Sequence, residues 1–388
     1  VRGSKLAVIL PLGTTQTLAW ASSFYLLAIM AAPIARDTGM TPAAVFAAFS
    51  GSLLISAAIG PRVGKTIDRI GGRLVLILSN LSFALGLGLL AASGSWPLVC
   101  AAWAFLGIGM GMGLYDAAFA TLGRIYGIGA RGPITGITLM AGFASTVGWP
   151  LTAWALAAFG WREACLGWAL AHLVIGIPLN ASLPRTPAVE NREHPAPAAD
   201  APRMDRTMVL LAIAFTAGWI VATAMAAHFM RLLEAAGATP AQALVAGTLI
   251  GPAQVAARLA EAIMLKRSHP LLSARLAAAL HPAGVALLAL GTGAIPAFAL
   301  LHGAGNGILT IARGAVPLAI WGPVNYGHRL GILAAPSRIG QAAAPVLFGL
   351  LIDAFGAWTL LFSAGLGLIS FAAFFMVGAS GRLRASAE

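Results

Sequence analysis

The sequence predicts an all-α membrane protein with twelve transmembrane helices in two pseudo-symmetric six-helix bundles. Three observations predict it. Hydrophobic residues make up 59% of the 388 and charged residues 9%, against about 25% charged in a soluble domain. Mean hydropathy is +0.87, so the chain lacks the polar surface to cover a soluble core. Twelve apolar stretches approach or exceed the length that spans a bilayer, about 20 residues, and their length without period-two alternation excludes barrel strands. The chain also nearly repeats itself. GMGLYDAAFATLGR at Gly111–Arg124 is followed by GNGILTIARGAVPLAIWG at Gly305–Gly322, and Gly113 pairs with Gly307, Pro150 with Pro345, Phe159-Gly160 with Phe355-Gly356, and Gly39-Met40-Thr41-Pro42 with Gly237-Ala238-Thr239-Pro240. The offsets stay between 194 and 198 residues, the pattern of a duplicated membrane bundle.

The expected spans are 6–34, 42–61, 73–92, 96–122, 133–159 and 162–183, then 207–232, 240–264, 272–291, 294–321, 332–355 and 357–379. Residues 184–206, rich in proline, alanine and mixed charge, are expected to be a flexible linker. It separates an N-terminal bundle, 1–183, from a C-terminal bundle, 207–388. Most other loops are short, which makes neighbouring helices antiparallel.

The net charge of +12 suggests nucleic acid, but its placement excludes that reading. Of the 24 Lys and Arg, 18 fall at the termini or in the even-to-odd loops: Arg2, Lys5, Arg62, Lys65, Arg69, Arg73, Arg124, Arg131, Arg185, Arg192, Arg203, Arg206, Lys266, Arg267, Arg275, Arg329, Arg382 and Arg384. Only Arg36, Arg162 and Arg231 fall on the other side. The positive-inside rule then places both termini in the cytoplasm. The first apolar run has no small-residue cleavage pattern and needs no signal peptide. Cys100 and Cys165 are expected as free, buried thiols.

Span 1 places Gln16, Trp20 and Ser23 near one face at three- and four-residue spacing, a candidate substrate wall. Serine and threonine in spans, however, often bond their own backbone. Span 4 carries Gly107, Gly109, Gly111 and Gly113, and span 10 carries Gly303, Gly305 and Gly307. Alternate glycines give no single clean seam, and bending at the same place in both halves is expected. Asn306 and Thr310 form a facing pair on span 10.

Charges inside a bilayer are expensive and mark function. Four stand out: Asp116, Arg258, Arg313 and Arg338. At about 1.5 Å per residue, Asp116 lies about 12 Å from Arg124, Arg258 a similar distance from Lys266, and Arg313 about 15 Å from Pro323. Asp116 and Arg313 occupy equivalent spans and are expected to pair across the halves as a gate. Asp116 could also take the coupling proton. The alternative is a permanent packing pair within one half. Arg258 can grip a carboxylate with a bidentate fork, or pair structurally with Glu261. The histidines are expected to be hydrogen-bonded packing, and no Walker loop, zinc spacing or nucleophile elbow is present.

Between spans 2 and 3, GPRVGKTIDRIGGR carries Gly64, Asp68-Arg69, Gly71 and Arg73 at a spacing that resembles the signature loop of the major facilitator superfamily. Physically, Gly64 permits a close helix crossing, while Asp68 can cap the positive end of a facing helix and pair with an arginine. Met264-Leu265-Lys266-Arg267-Ser268 has lost the pattern, Gly148-Trp149-Pro150 is a fragment of an antiporter motif, and Trp103 stands near the place of the usual helix-4 arginine. The resemblance covers the chain and implies two rocking bundles around a cavity lined by helices 1, 4, 7 and 10, which are unusually polar here. GPAQVAARLAE at 251–261 resembles helix 8 of the monocarboxylate and oxalate porter branch, where an arginine binds substrate carboxylate. Gln254 stands where animal members carry an aspartate, so coupling by that route is not implied. The resemblance also implies that Arg338 pairs with Asp68, with substrate binding as the alternative.

These readings predict a proton-linked or exchange permease for a small, carboxylate-type anion. It is expected to be monomeric in a bacterial inner membrane, with an ion gradient in place of cofactor or metal, and with no enzymatic activity and no nucleic-acid partner. Substrate contacts fall to Arg258, Gln16, Trp20, Asn306 and Thr310; coupling falls to Asp116, Arg313 and Glu261. The alternative is an efflux permease for a toxic small molecule, arsenite-like or drug-like, which the stretch YDAAFATLGRIYG also resembles. A non-transporting receptor or scaffold is disfavoured by the lack of a soluble sensory domain.

Overall fold

A computed structural model describes residues 5–186, 202–265 and 267–379. Arg2, Arg192, Lys266, Arg382, Arg384 and most of the expected linker lie outside the described residues. Among the described residues there are sixteen α-helices: α1 Leu6–Ser22, α2 Leu27–Thr38, α3 Pro42–Ile70, α4 Gly72–Ala91, α5 Trp96–Gly113, α6 Tyr115–Tyr126, α7 Arg131–Ala141, α8 Ala144–Phe159, α9 Trp161–Ala171, α10 Ile177–Ala181, α11 Arg206–Ala235, α12 Pro240–Met264, α13 Pro270–Leu288, α14 Ile295–Trp321, α15 Tyr326–Phe355 and α16 Thr359–Ala379. No strand occurs among the described residues. Among the described residues, ten apolar helical stretches are long enough to span a membrane. Two of them, Trp96–Phe159 with 64 residues and Tyr326–Val377 with 52, are each long enough for two crossings of about 20 residues, which gives twelve. Exposed Leu74, Leu78, Leu81 and Leu85 form an apolar stripe on α4, a face suited to lipid rather than water.

Two compact units form. One comprises Val1–Pro202 with Trp321–Ala335, the other Arg203–Ile320 with Pro336–Glu388. The short segment from the second half joins the first unit because α3 packs on it. A Cβ on Gly64 would run into the carbonyl of Gly327, and a Cβ on Gly60 would lie 3.5 Å from that of Gly331.

Three spans of the first unit are interrupted. The first breaks at Ser23–Leu26, where Tyr25 N–H reaches back to Trp20 O at 3.1 Å. The fourth breaks at Leu114, whose extended backbone (ψ −172°) separates α5 from α6. The fifth breaks at Gly142–Phe143, and the sixth carries a π-helical turn, His172–Gly176. In the second unit α14 runs unbroken through Gly303, Gly305 and Gly307. The expectation that both halves bend at their glycines is therefore corrected: only the first does.

The alternate glycines instead serve two neighbours at once. Added Cβ atoms at Gly107 and Gly303 would lie 2.5 Å from Ser52 O and 2.7 Å from Ile250 O, and one at Gly307 would lie 2.5 Å from Gln254 O. Gly111 faces Ile59 and Ser56. Residues four apart thus seat α5 on α3 and α14 on α12, as in a small-residue seam. Gly109 and Gly113 turn to Phe83 and Ser79 of α4, and Gly305 turns to Ala277 O of α13. Packing pairs Gly111, not Gly113, with Gly307, which shifts the sequence register by two residues.

Candidate functional site

In the first unit, the break at Leu114 leaves the last carbonyls of α5 without helical donors. Gln16 supplies one: its Nε2 donates to Gly113 O at 2.6 Å. Gln16 is 1% exposed, and its Oε1 has no hydrogen-bond partner. One turn on, Trp20 packs against Tyr115 at 5.0 Å and Phe24 at 5.2 Å between ring centroids. Its buried indole N–H also lacks a partner. Ser23 turns away from this wall and donates to Ala19 O at 2.5 Å. Asp116 is half-buried in the first turn of α6, where the helix dipole favours an acidic side chain.

A second polar group lies behind α1. His172, fully buried in the π turn, meets Ser22 Oγ at 2.7 Å and Asn80 Oδ1 at 2.8 Å, and stacks on Phe83. Thr15 donates to Asn180 at 3.0 Å. These bonds consume the side chains' capacity and make the group scaffold.

The α3–α4 segment departs from the expected loop. Pro61 is accommodated inside α3, which stays helical to Ile70, about 43 Å long at 1.5 Å per residue and longer than a hydrocarbon core of about 30 Å. The turn shrinks to Gly71, whose φ of +82° suits glycine. Asp68 accepts from the N–H groups of Gly327 and His328, both at 2.8 Å. Arg73 donates to Leu183 O at 3.3 Å, and Arg69 is exposed. The first turn of α15 presents N–H groups to the Asp68 carboxylate, and Arg338, in the second unit, donates to Gln341 Oε1 at 3.3 Å.

Among the described residues of the second unit three arginines are buried: Arg258 and Arg338 at 3% exposure and Arg313 at 4%. Arg258 Nε donates to Gly307 O at 3.2 Å, and its Nη2 lies 3.4 Å from Gln254 Oε1. The glycine at 307 therefore lets α14 approach α12 closely enough for this bond. Buried Glu261 accepts from Ser273 Oγ at 2.9 Å. The Arg313 guanidinium lies 5.2 Å from the Trp219 ring centre, within cation–π range. Thr310 donates to Asn306 O at 2.9 Å. Gln341 donates to Thr223 at 3.2 Å.

His281 and His302 join through their Nδ1 atoms at 3.1 Å, and His281 Nε2 meets Ser363 Oγ at 3.0 Å. Ser363 gives its proton to Leu360 O, so His281 Nε2 must donate to it. A neutral His281 then accepts from His302 through Nδ1. His228 bonds Pro345 O at 2.7 Å. Among the described residues no cluster of three or more His, Cys, Asp or Glu could hold a metal. Both cysteines are free, but Cys100 is exposed rather than buried.

Sequence reasoning missed Trp219, the helix breaks and the Gln16–Gly113 bond. One signal was available: Trp219 stands 199 residues after Trp20, one residue beyond the 198 that separates Gly39 from Gly237.

Residues 12–300 match the Major Facilitator Superfamily, and the chain, a multi-pass membrane protein, belongs to that superfamily. It is similar in fold to the human organic anion transporter MFSD10 (TETRAN), with TM-score 0.73 and 16% identity over 96% of this chain and 100% of that one. The Escherichia coli fucose:proton symporter FucP aligns with TM-score 0.75 and 14% identity over 97% and 99% of the two chains. A multidrug resistance protein B homolog of Mycobacterium tuberculosis strain H37Rv is 35% identical over 130 residues, which is 32% of this chain and 23% of that protein. The chain matches less than a quarter of that relative's length.

Proposed function

We propose that this transporter moves a small carboxylate-type anion, coupled to protons or by exchange, and that Arg258 receives the carboxylate. Arg258 carries this reading. The residue is 3% exposed on α12, and its guanidinium is oriented through Nε by the Gly307 carbonyl. A planar fork held at mid-helix suits bidentate capture of a carboxylate. Gln16, Trp20, Asn306 and Thr310 are assigned to the rest of the solute. Asp116 is assigned the coupling proton, with Arg313 and Glu261 as its partners in coupling, and Arg338 a structural role. The likeness in fold to a protein described as an organic anion transporter agrees with this reading. On the same proposal the protein works as a monomer in a bacterial cytoplasmic membrane, with both termini inside and an ion gradient as its energy source.

Proteoliposomes given external labelled lactate or pyruvate test the assignment. A lost hydrogen bond to a charged group is worth about 1.5–3 kcal/mol, or about 10- to 150-fold. Arg258→Ala is expected to lose that much uptake, and Arg258→Lys less. Unaltered protein that carries no carboxylate would end the proposal. The similarity to a multidrug resistance protein homolog favours a second reading, drug efflux. It predicts better growth on lipophilic cations with expression than without.

A further inference from the structure

His281 and His302 stand apart from every residue assigned to the solute, and they lie within the second unit together with the side chains they touch. They are 5% and 4% exposed. His281 comes 7 residues before Leu288, the end of α13, and His302 comes 7 residues after Ile295, the start of α14. Both rings therefore sit at one depth, about 10 Å from the same end of their helices. Their Nδ1 atoms face each other at 3.1 Å, with ring centroids 5.0 Å apart and planes at 71°. Burying imidazole in apolar surroundings is costly, and duplication does not account for it. At the 196-residue offset that pairs Gly107 with Gly303, Leu106 stands in the place of His302.

A histidine that ligates a metal almost always donates its other ring N–H to a fixed acceptor. His281 has that arrangement. Its Nε2 donates to Ser363 Oγ at 3.0 Å, and the Ser363 hydroxyl donates to Leu360 O at 2.7 Å. This chain fixes a lone pair on His281 Nδ1 and aims it at His302, whose Nδ1 proton occupies the space between the rings. A cation in that space would send the proton to Nε2 of the same ring. Both rings would stay neutral, and the site would gain only the charge of the ion.

The surroundings select the ion. The Phe298 ring centre lies 5.7 Å from that of His281 and 6.2 Å from that of His302, and Phe229 lies 6.4 Å from His302. Aromatic faces favour a single positive charge and exclude water. Among the described residues no third His, Cys, Asp or Glu joins the pair. Zinc would bring two charges into this apolar setting without a counter-charge, and its structural sites take four ligands. Copper accepts imidazole, and its monovalent form is satisfied by two nitrogens in line. With bonds of about 2.0 Å, those nitrogens stand about 4 Å apart, so each ring must tilt back by about 0.5 Å.

We propose that His281 and His302 bind one soft monovalent cation of the copper(I) type between their Nδ1 atoms, joining α13 to α14. The site is independent of the carboxylate reading and is tested without it.

Silver(I) is the probe, because it keeps the charge and two-coordinate habit of copper(I) without its redox chemistry. Full-length protein carrying Cys100→Ser and Cys165→Ala, which removes both thiols, is titrated in detergent against a competing chelator. Bound metal is counted by elemental mass spectrometry. One ion per chain is expected. His302→Phe, which keeps a ring beside Phe298, is expected to abolish binding. Ser363→Ala, which removes only the partner of Nε2, is expected to weaken it by about 10- to 100-fold. His228→Phe is the control, since that ring bonds Pro345 O, and it should change nothing.

Binding that survives His302→Phe, or weak binding that no variant alters, means an adventitious ion only and overturns the proposal. Zinc(II) that displaces silver at equal concentration overturns the choice of a monovalent ion. Should the histidine variant not fold, X-ray absorption of the silver-loaded, cysteine-free protein decides. Two nitrogen neighbours with imidazole scattering support the site; sulfur neighbours, supplied by some of the 11 methionines, overturn it.

Discussion

Replacing Gly307 with alanine should damage packing and the anion site in one step. The new Cβ would lie 2.5 Å from Gln254 O, 2.9 Å from its Cα and 3.1 Å from its C. All three are backbone atoms of α12 and cannot rotate aside. Ordinary contact begins near 3.4 Å, so α14 must move away by about 0.9 Å. The Arg258 Nε–Gly307 O bond, 3.2 Å at present, would stretch beyond hydrogen-bond range. Overpacking costs about 1–3 kcal/mol and the lost bond from a charged donor about 1.5–3 kcal/mol, together about 2.5–6 kcal/mol. Gly88→Ala is the comparison, because a Cβ there meets nothing within 4 Å. It should stabilise α4 by up to about 1 kcal/mol through helix propensity. Equilibrium unfolding of the purified protein in mixed micelles, with uptake measured on the same preparations, separates the two. If Gly307→Ala is as stable as Gly88→Ala and transports normally, the close α12–α14 seam and its role in orienting Arg258 are both wrong.

Asp68→Asn keeps one acceptor but loses the charge that two N–H groups share, and should cost about 1–3 kcal/mol in the same unfolding assay. Gly64→Ala should cost at least as much, because its Cβ meets the Gly327 carbonyl. A membrane-impermeant maleimide should label Cys100 in intact cells and leave Cys165 untouched, as read by mass spectrometry. Cys100 is exposed in an open groove of about 610 Å³ with Met40 and Trp96, whereas Cys165 is 0% exposed. Labelling of Cys100 only after lysis would invert the proposed orientation.

Much of the architecture was readable from residue order because the bilayer demands long apolar runs and the duplication marks equivalent positions. What escaped depends on contacts between distant parts of the chain. The glycines from Gly107 to Gly113 announced a bend near Leu114 but not what sustains it: Gln16, 97 residues earlier, takes up the Gly113 carbonyl. Pro61 looked like the end of a span, yet α3 continues past it. The glycines of the second half serve packing alone, because α14 has two close neighbours, α12 and α13, and runs on without a bend. Burial of Arg258 was legible from its place in an apolar run, while its anchor on Gly307 was not.

Gln16 and Arg258 both hold a neighbouring helix by a backbone oxygen, so each has a duty to the scaffold that precedes any duty to cargo. A lineage that drifts toward a new nutrient or toxin cannot readily alter either position without loosening a helix joint. Divergence in what such proteins carry should therefore be recorded at neighbouring residues without such a joint before it reaches 16 and 258.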